Sequence, residues 1–262
     1  RKGEKMRKKV IAAILATTML VPTNAFSPFA IGEKKASIMQ SVQAATTENV
    51  AYEGNCGKSA KWKFNESTGE LTISGSGKMY DYSYDLEVGG GGGPWGAFNK
   101  EIKSVKIGDK ITYVGDGAFV WCRNLTTVKF GKKVAQVGGK ASEGPFVKCP
   151  LESIYIGESF KSDLSDLLAS RITIKNIQVS SKNKYYYAKN NLLMNKKKTK
   201  LYAIGEPEKR ILTIPSTVAS IDANAIVPGN IDEIRVANGN KKFVVKDGKL
   251  YKKSNTEKVF AY

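Results

Sequence analysis

The stretch that decides the fold is IKSVKI at Ile102–Ile107, which returns 23 residues later as LTTVKF at Leu125–Phe130. The same spacing of three apolar residues occurs again as LESIYI at Leu151–Ile156, IKNIQV at Ile174–Val179 and IDEIRV at Ile231–Val236. The first four copies start 23, 26 and 23 residues apart. Self-similarity at such a period is the mark of a repeat protein. The chain is therefore predicted to be a stack of short strands, one for each repeat.

The segments between these strands repeat as well. VGDGAFVWC at Val114–Cys122 matches the ends of Val137–Cys149, and Ser220–Ile226 is a third version. A period of 20–29 residues with the strand pattern L-x-x-L-x-L is typical of leucine-rich repeats. A single repeat cannot bury its apolar side, so neighbouring repeats must stack into a solenoid. We expect a second internal column on the far side of each repeat, formed by Phe119, Phe146, Cys122 and Cys149.

Residues 51–101 precede the repeats and are predicted to form a small N-terminal β-hairpin module with a glycine-rich loop. Apolar and polar residues alternate around Trp62 and again around Leu71, on either side of NESTG at 65–69. Such a pattern predicts a hairpin. The glycine run at Gly89–Gly93 is not followed by Gly-Lys-Ser or Gly-Lys-Thr, which disfavours a phosphate-binding loop. A flexible loop is the expectation.

The C-terminal part contains a longer duplication, in which Ile177–Thr199 recurs 57 residues later as Ile234–Thr256. Each copy is expected to contain a β-hairpin. The paired segments are Tyr185–Ala188 with Leu192–Met194, and Phe243–Lys246 with Leu250–Lys252. Leu212–Pro215 is a partial repeat, and Asp163–Ala169 favours a short helix. The sequence stops inside a repeat without the polar cap that a solenoid needs, so the solenoid of residues 102–262 is expected to be truncated at its C-terminus.

Residues 1–30 have the composition of a secretory signal peptide. Six of the first nine residues are Lys or Arg, and an apolar run from Val10 to Val21 follows. A basic region, a short apolar region and small residues are the parts of such a peptide. The run is too short to span a bilayer, which takes roughly 20 residues. Cleavage is compatible with Ala25, Ala30 or Ala44, a polar spacer covers residues 31–50, and a short buried helix is the alternative for the apolar run.

Composition narrows the function. Lys and Arg number 42 against 24 Asp and Glu, a net charge of +18, of which residues 1–30 hold +5 (six basic residues and one acidic), so the mature chain stays basic at +13. The chain has no histidine, which excludes Ser-His-Asp and Cys-His catalysis and histidine-containing zinc sites. Three cysteines argue against a disulfide framework. Cys122 and Cys149 are expected to be buried free thiols, with a disulfide between neighbouring repeats as the alternative.

Two surfaces are candidates for binding. Side chains alternate along a strand, so the residues beside each central aliphatic residue face outward. The candidate ligand-binding face consists of Lys106, Thr127, Lys129, Ser153, Tyr155, Asn176, Gln178 and Arg235. A second candidate is a basic patch within residues 181–201, which contain seven lysines and no acidic residue. Its members are Lys182, Lys184, Tyr186, Lys196, Lys197 and Lys198. Solvated surfaces without a ligand are the alternative for both, and a lysine-protected edge is the alternative for the patch.

The repeat at residues 102–128 resembles the BspA-type leucine-rich repeats of bacterial surface proteins, which read I-x-S-V-x-I-x-x-x-V-T-x-I-G-x-x-A-F-x-x-C-x-x-L-x-x-V. The CG, LTISGSG and PW motifs that begin at Cys56, Leu71 and Pro94 are similar to the module that often precedes these repeats, and DGKLY at Asp247–Tyr251 is similar to a common insertion. The resemblance covers roughly residues 52–262. It implies secretion or surface display and a role in adhesion or ligand binding, with no catalytic residues.

The expected function is therefore that of a secreted or cell-surface protein that binds an extracellular protein or glycan without catalysis. The ligands considered include an anionic wall or host polymer. Nucleic acid is not expected, nor is a cofactor, a metal or a transmembrane span in the mature chain. The alternative is a structural spacer or targeting region of a larger exported protein, whose further C-terminal part carries a hydrolase or wall-anchoring module.

Overall fold

A computed structural model of the chain describes residues 51–85, 90–139, 144–164, 174–223, 225–226, 231–255 and 258–260. The predicted signal peptide and spacer, and residues 165–169 of the predicted helix, lie outside these residues. Ala51–Tyr262 form one compact unit.

Two 3-10 turns lie at Gly96–Phe98 and Glu208–Arg210. The strands are β1 (Ala51–Asn55), β2 (Ala60–Asn65), β3 (Glu70–Gly75), β4 (Gly77–Lys78), β5 (Tyr84–Asp85), β6 (Gly90–Gly91), β7 (Ser104–Ile107), β8 (Ile111–Val114), β9 (Thr127–Lys129), β10 (Gln136–Val137), β11 (Ser153–Ile156), β12 (Asn176–Val179), β13 (Tyr186–Lys189), β14 (Leu192–Asn195), β15 (Lys200–Ile204), β16 (Ile211–Ile214), β17 (Ser220–Ile221), β18 (Glu233–Val236), β19 (Phe243–Lys246), β20 (Lys249–Lys252) and β21 (Lys258–Phe260).

One seven-stranded sheet carries the first repeats, in the order β1-β2-β3-β7-β9-β11-β12. The first three strands are antiparallel, and from β3 onward every pairing is parallel. The predicted hairpin of β2 and β3 forms in register, with Trp62 opposite Ile73 and Phe64 opposite Leu71. Because β3 pairs directly with β7, the N-terminal module provides the first layer of the repeat sheet. The mainly β solenoid predicted from the sequence is confirmed.

A smaller parallel sheet, in the order β10-β8-β4, forms a second side of the solenoid. Val137 pairs with Val114 in this sheet, and both side chains are buried. Sequence patterns placed no strand here, because ITYV at Ile111–Val114 is short and follows the stronger repeat pattern closely. The N-terminal module and the first two repeats therefore each supply strands to both sheets, and the core lies between the sheets.

Aromatic rings fill the expected second column. The ring of Phe119 lies between those of Trp95 and Phe146, with centroids 5.2 Å away on each side and interplanar angles of 17° and 5°. Phe130 stacks on Phe160 in the same manner, at 5.4 Å and 8°. Offset stacking of buried rings adds to the free energy that their burial supplies. Stacked aromatic residues thus couple these layers to one another.

Glycines at the ends of the parallel strands set how closely the layers approach. Gly108, Gly131 and Gly157 follow β7, β9 and β11. A Cβ at Gly131 would fall on the carbonyl oxygen of Gly108, and a Cβ at Gly157 on the carbonyl oxygen of Gly131. We call these three residues the glycine column. A side chain at any of them would push two neighbouring repeats apart.

Both predicted hairpins are confirmed. β13 pairs with β14 and β19 pairs with β20, each in antiparallel register. Their turns place two successive residues at positive φ, 51° and 59° at Asn190-Asn191 and 47° and 71° at Asp247-Gly248. This is the geometry of the type I′ turn that suits a two-residue hairpin, and Asn, Asp and Gly are the residues that tolerate it.

A buried asparagine fixes the base of each hairpin. The Nδ2 group of Asn183 donates to the carbonyl oxygens of Gly157 and Phe160 at 2.8 and 3.0 Å. Its Oδ1 atom accepts the backbone N–H groups of Tyr185 and Tyr186, both at 2.8 Å. Asn183 has no exposed surface. All four hydrogen-bonding positions of the amide are therefore used, which satisfies backbone groups of both the hairpin and the preceding repeat.

The second hairpin repeats this arrangement 57 residues later. Asn240 Nδ2 donates to the carbonyl oxygens of Pro215 and Val218 at 2.8 and 3.0 Å. Its Oδ1 atom accepts the N–H groups of Lys242 and Phe243, both at 2.8 Å. The duplication seen in the sequence is therefore a duplication of a specific hydrogen-bonded unit.

The first hairpin interrupts the sheet. The side chain of Asn191 accepts the N–H of Ile177 in β12 and donates to the carbonyl oxygen of Glu206. The side-chain amide of Asn191 therefore occupies the edge of β12 at which a further strand of the sheet would pair. The following strands, β16 and β18, form a separate two-stranded parallel sheet. Its pairing places Leu212 opposite Ile234, so the expected partial repeat is a paired strand.

Two further expectations have a structural outcome. The flexible loop expected for the glycine run is wrong at Gly90–Gly91, which pair antiparallel with Tyr84–Asp85. The run docks on a repeat, because the N–H of Gly93 donates to the carbonyl oxygen of Ala118 at 3.1 Å. All three cysteines are buried free thiols, and Cys149 Sγ donates to the carbonyl oxygen of Phe119 at 3.0 Å. The disulfide alternative is therefore not the state of Cys122 and Cys149.

Phe119→Ala tests the aromatic column. Removing a fully buried ring between two stacked neighbours should lower the free energy of unfolding by about 3–5 kcal/mol. Tyr80, which is 54% exposed, provides the matched control, and Tyr80→Ala should change it by less than about 0.5 kcal/mol. Urea unfolding monitored by circular dichroism measures both values. Equal losses for the two variants would contradict the packing described.

Asn183→Ala tests the hairpin base. The substitution leaves two buried carbonyl groups and two N–H groups without their partner, and should cost about 3 kcal/mol or more. The exposed Asn176, whose amide makes one 3.5 Å contact with Ser153, is the control and should cost less than about 0.5 kcal/mol. Equilibrium unfolding of both variants checks this. An Asn183 variant as stable as the Asn176 variant would show that the buried amide is dispensable.

Candidate functional site

The outward residues predicted for the repeat strands form two rows across four parallel strands. One row joins Ser104, Thr127, Ser153 and Asn176, which are Cα partners in sequence. The other row joins Lys106, Lys129, Tyr155 and Gln178 in the same way. Val105, Val128, Ile154 and Ile177 lie between the rows and are buried, as the alternation predicts. Neighbouring members of a row are one strand spacing apart, about 4.8 Å.

The second row concentrates positive charge beside an aromatic ring. Lys106 and Lys129 are exposed and directly opposite each other across β7 and β9. The ammonium of Lys129 lies 5.5 Å from the centroid of the Tyr155 ring. Like charges directly opposite each other are unfavourable across a sheet. An anionic or strongly polar ligand would relieve that repulsion.

A shallow depression of about 370 Å³ adjoins this row at the C-terminal ends of the strands. Gly108 and Gly131 of the glycine column line it. The other residues that line it are Lys106, Ile107, Asp109, Lys129, Phe130, Lys132, Tyr155 and Glu158. The depression therefore joins lysines, two carboxylates and the Tyr155 ring in one concave surface.

One carboxylate of this surface is held in its charged form. Asp109 accepts the backbone N–H of Lys132 at 3.2 Å, and the Lys132 ammonium lies 3.3 Å from its Oδ2 atom. The backbone hydrogen bond, followed by the side-chain contact, lowers the pKa of Asp109 below its ordinary value. This pair links two neighbouring repeats at the rim of the depression. Both side chains are largely exposed, so we assign the pair no stabilising value.

Arg235 does not belong to this face. It lies on β18 in the separate two-stranded sheet, beyond the interruption made by the first hairpin. Its guanidinium also makes two hydrogen bonds to Glu233, at 2.6 and 2.8 Å. Ile231–Val236 contains the predicted strand, β18. The expectation that this strand continues the sheet of β12 is wrong, because β18 pairs with β16 in a separate sheet.

The lysines predicted for the basic patch are exposed, but Tyr186 is buried and is not part of its surface. Lys182, Lys184 and the segment Lys196–Lys198 are exposed. Tyr186 is 8% exposed, and its hydroxyl donates to the carbonyl oxygen of Ser162 at 2.8 Å. Residues alternate between faces along the hairpin, so it is the neighbouring Tyr185, 49% exposed, that lies at the surface.

The described residues form no metal-binding cluster, and two of their buried thiols have raised pKa values. They contain no group of three or more Cys, Asp or Glu side chains that could hold a metal ion. Burial raises the pKa of the Cys56 thiol to about 12, and a hydrogen bond with Cys149 together with burial raises that of Cys122. Such thiols are poor nucleophiles at neutral pH. The described part of the chain also has no helix long and apolar enough to cross a bilayer.

Two contributors to these surfaces were missed in the sequence. The glycine column was visible as a glycine directly after each of three repeat strands, in IG, FG and IG at residues 107–108, 130–131 and 156–157. Its regular position was the available indication of a close approach. Tyr185 lies within the tyrosine triplet at 185–187, and only the hairpin register decides which of its rings is exposed.

The repeat region matches a known family of repeats. Residues 97–211 match the family described as "BspA type Leucine rich repeat region", in 6 copies. No curated protein matches the chain. A leucine-rich repeat protein from Eubacterium ventriosum is 24% identical, with 72% of this chain and 61% of that chain covered and a TM-score of 0.40. A leucine-rich cell surface protein from Faecalibacterium prausnitzii is 15% identical (79% and 59% covered, TM-score 0.31), and the pneumococcal vaccine antigen PcpA is 14% identical (78% and 54%, TM-score 0.31).

The chain thus spans less than two thirds of the length of each of these three solved structures. The match to the repeat family covers β7, β9, β11 and β12, whose parallel pairing forms the candidate face. The resemblance noted in the sequence is confirmed, and the region that carries the candidate face is a set of BspA-type leucine-rich repeats.

Proposed function

We propose that this protein is exported and binds an extracellular protein or glycan through the outward face of β7, β9, β11 and β12, without catalysing a reaction. The N-terminal composition of residues 1–30 supports export, since a basic segment followed by a short apolar run is typical of a signal peptide. The BspA-type repeats support a binding role. A rigid repeat sheet presents an extended surface suited to a large ligand.

The observation that carries the proposal is the in-register row of Lys106, Lys129, Tyr155 and Gln178 beside the depression. The row combines hydrogen-bond donors and acceptors with an aromatic ring on a backbone that the sheet holds in place. Tyrosine is among the residues that are enriched at the centres of binding surfaces. Two lysines directly opposite each other across a strand pair oppose folding. Their presence therefore favours a binding role over a solvated face without a ligand.

The double variant Lys129→Gln and Tyr155→Ala tests this face. The full chain is applied to an array of matrix proteins, mucins and glycans at physiological salt, and the ligands it retains are titrated against both proteins. Losing two central contacts should weaken binding roughly 10- to 100-fold, because central contacts contribute on the order of 1–2 kcal/mol each.

The matched control changes one lysine and one tyrosine on the side of the smaller sheet, Lys161→Gln with Tyr80→Ala. Both residues are exposed, and the net charge changes equally. The control should bind like the unmodified protein. If the array retains no ligand above background, the chain acts as a spacer and the binding role is wrong. If both double variants lose affinity equally, a ligand is bound elsewhere.

A further inference from the structure

The first hairpin ends in a lysine-rich turn whose backbone is held by hydrogen bonds from two side chains. Lys196, Lys197 and Lys198 follow β14, and all three are exposed. We call them the cationic turn. Lys198 has a φ of 60°, a conformation that side chains other than glycine adopt at a cost. The turn therefore depends on specific contacts that hold its backbone.

Those contacts come from Asn195 and Thr217. Asn195 Oδ1 accepts the N–H groups of Thr199 and Lys200 at 2.8 and 3.1 Å, and its Nδ2 donates to Thr199 Oγ1 at 2.9 Å. Thr217, from the next repeat, donates its hydroxyl to the carbonyl oxygen of Lys198 at 2.8 Å. The backbone that carries three adjacent ammonium groups is thus fixed before any ligand arrives. Such preorganisation lowers the cost of binding.

Few carboxylates balance this charge. In the described part of the chain, Lys182 lies 4.0 Å from Glu158, and Lys200 lies 3.4 Å from Asp222. Lys198 instead lies 4.5 Å from the centroid of the Tyr187 ring. Lys184 and Lys197 make no ion pair with a described carboxylate. Several like charges on one fixed surface repel one another, and an anion bound there removes the repulsion.

An exposed tyrosine, Tyr185, is joined to the turn through its backbone. The N–H of Lys196 donates to the carbonyl oxygen of Tyr185 at 2.7 Å, which joins the two segments. Tyr185 is 49% exposed, and its own N–H is held by Asn183. An exposed ring beside cations offers an apolar face with a polar tip. The apolar C–H face of a sugar ring can lie on such a surface while its acidic groups reach the lysines.

The second hairpin shows that lysine content alone does not produce this arrangement. Residues 241–258 also contain seven lysines. At the positions 57 residues after Asn195 and Tyr185, however, this hairpin has Lys252 and Lys242. At these two positions it therefore lacks the asparagine and the tyrosine of the first hairpin. The second hairpin thus serves as a control for lysine content.

We propose that the cationic turn, with Lys184 and Tyr185, binds an anionic polysaccharide that bears sulfate or carboxylate groups. The lysines contact the acidic groups, and the Tyr185 ring contacts a sugar. Polysaccharide is favoured over nucleic acid because nucleic-acid surfaces stack several successive bases on aromatic rings. Here, a single well-exposed ring adjoins the described lysines of the turn. This site is separate from the sheet face and does not depend on its function.

The test compares two triple variants of the full chain with equal loss of charge. Lys184→Gln, Lys197→Gln and Lys198→Gln alter the proposed site, while Lys196 is kept because its ammonium lies 3.3 Å from the carbonyl oxygen of Ser181. Lys241→Gln, Lys246→Gln and Lys249→Gln alter exposed lysines of the second hairpin. Affinity is measured for heparin, hyaluronan, neutral dextran and a DNA duplex at a series of salt concentrations. Hyaluronan carries carboxylates and no sulfate, so binding to heparin but not to hyaluronan would indicate that sulfate groups are required.

We expect binding to heparin, hyaluronan or both, and none to dextran. The site variant should lose about 10- to 100-fold in affinity, with a salt slope reduced by about two to three, and the second-hairpin variant less than about threefold. Tyr185→Ala should weaken polysaccharide binding at least about fivefold and leave DNA binding unchanged. Lys129→Gln with Tyr155→Ala should have no effect in this assay, which separates the two sites.

Three results would overturn the proposal. The first is no binding to either anionic polysaccharide. The second is an equal loss of affinity for both triple variants, which would mean that net charge alone attracts the polymer. The third is DNA binding as tight as polysaccharide binding, together with polysaccharide binding that does not depend on Tyr185. This result would identify a nonspecific cationic surface. Circular dichroism of each variant confirms that its fold is kept, and the single variant Lys197→Glu provides an independent test of the turn.

Discussion

The constraint on which the rest of the structure depends is the close, in-register approach of successive repeats along β3, β7, β9, β11 and β12. Parallel pairing places equivalent residues of each repeat side by side. The glycine column permits the distance at which this pairing holds, because the carbonyl oxygen of one repeat occupies the space of the next repeat's Cβ. The buried aromatic column and the outward rows of side chains are consequences of the same stacking. The repeat period of the sequence thereby places equivalent outward side chains at a regular spacing across the sheet.

The hairpins show how the chain departs from this regularity without losing its order. Each is an insertion that would leave backbone groups of the preceding repeat without partners. Asn183 and Asn240 provide those partners with fully used amides, and Asn191 occupies the edge of β12. The result is a break in the sheet at a defined place. The cationic turn belongs to the same inserted hairpin, so the insertion both interrupts the repeat sheet and adds a second charged surface.

Local patterns predicted most of the fold, and long-range pairing explains what they missed. The repeat strands and both hairpins were predictable because spacing, alternation and the Asp-Gly turn are encoded within a few residues. Arg235 was misplaced because an outward-facing pattern does not say which strand lies beside it. Tyr186 was misplaced because three successive tyrosines share a composition but alternate in orientation. The role of the glycine column was missed because it depends on how closely two repeats approach, which the sequence of a single repeat does not show.

The most direct test of this account is the free energy of unfolding of Gly131→Ala. Gly131 does not have a positive φ, so alanine would by itself be tolerated and should stabilise the chain by about 0.4–1 kcal/mol through the unfolded state. The account predicts the opposite sign, a loss of about 2 kcal/mol or more, because the new Cβ falls on the carbonyl oxygen of Gly108. A variant as stable as the unmodified protein, or more stable, would contradict the claim that close repeat stacking determines this structure.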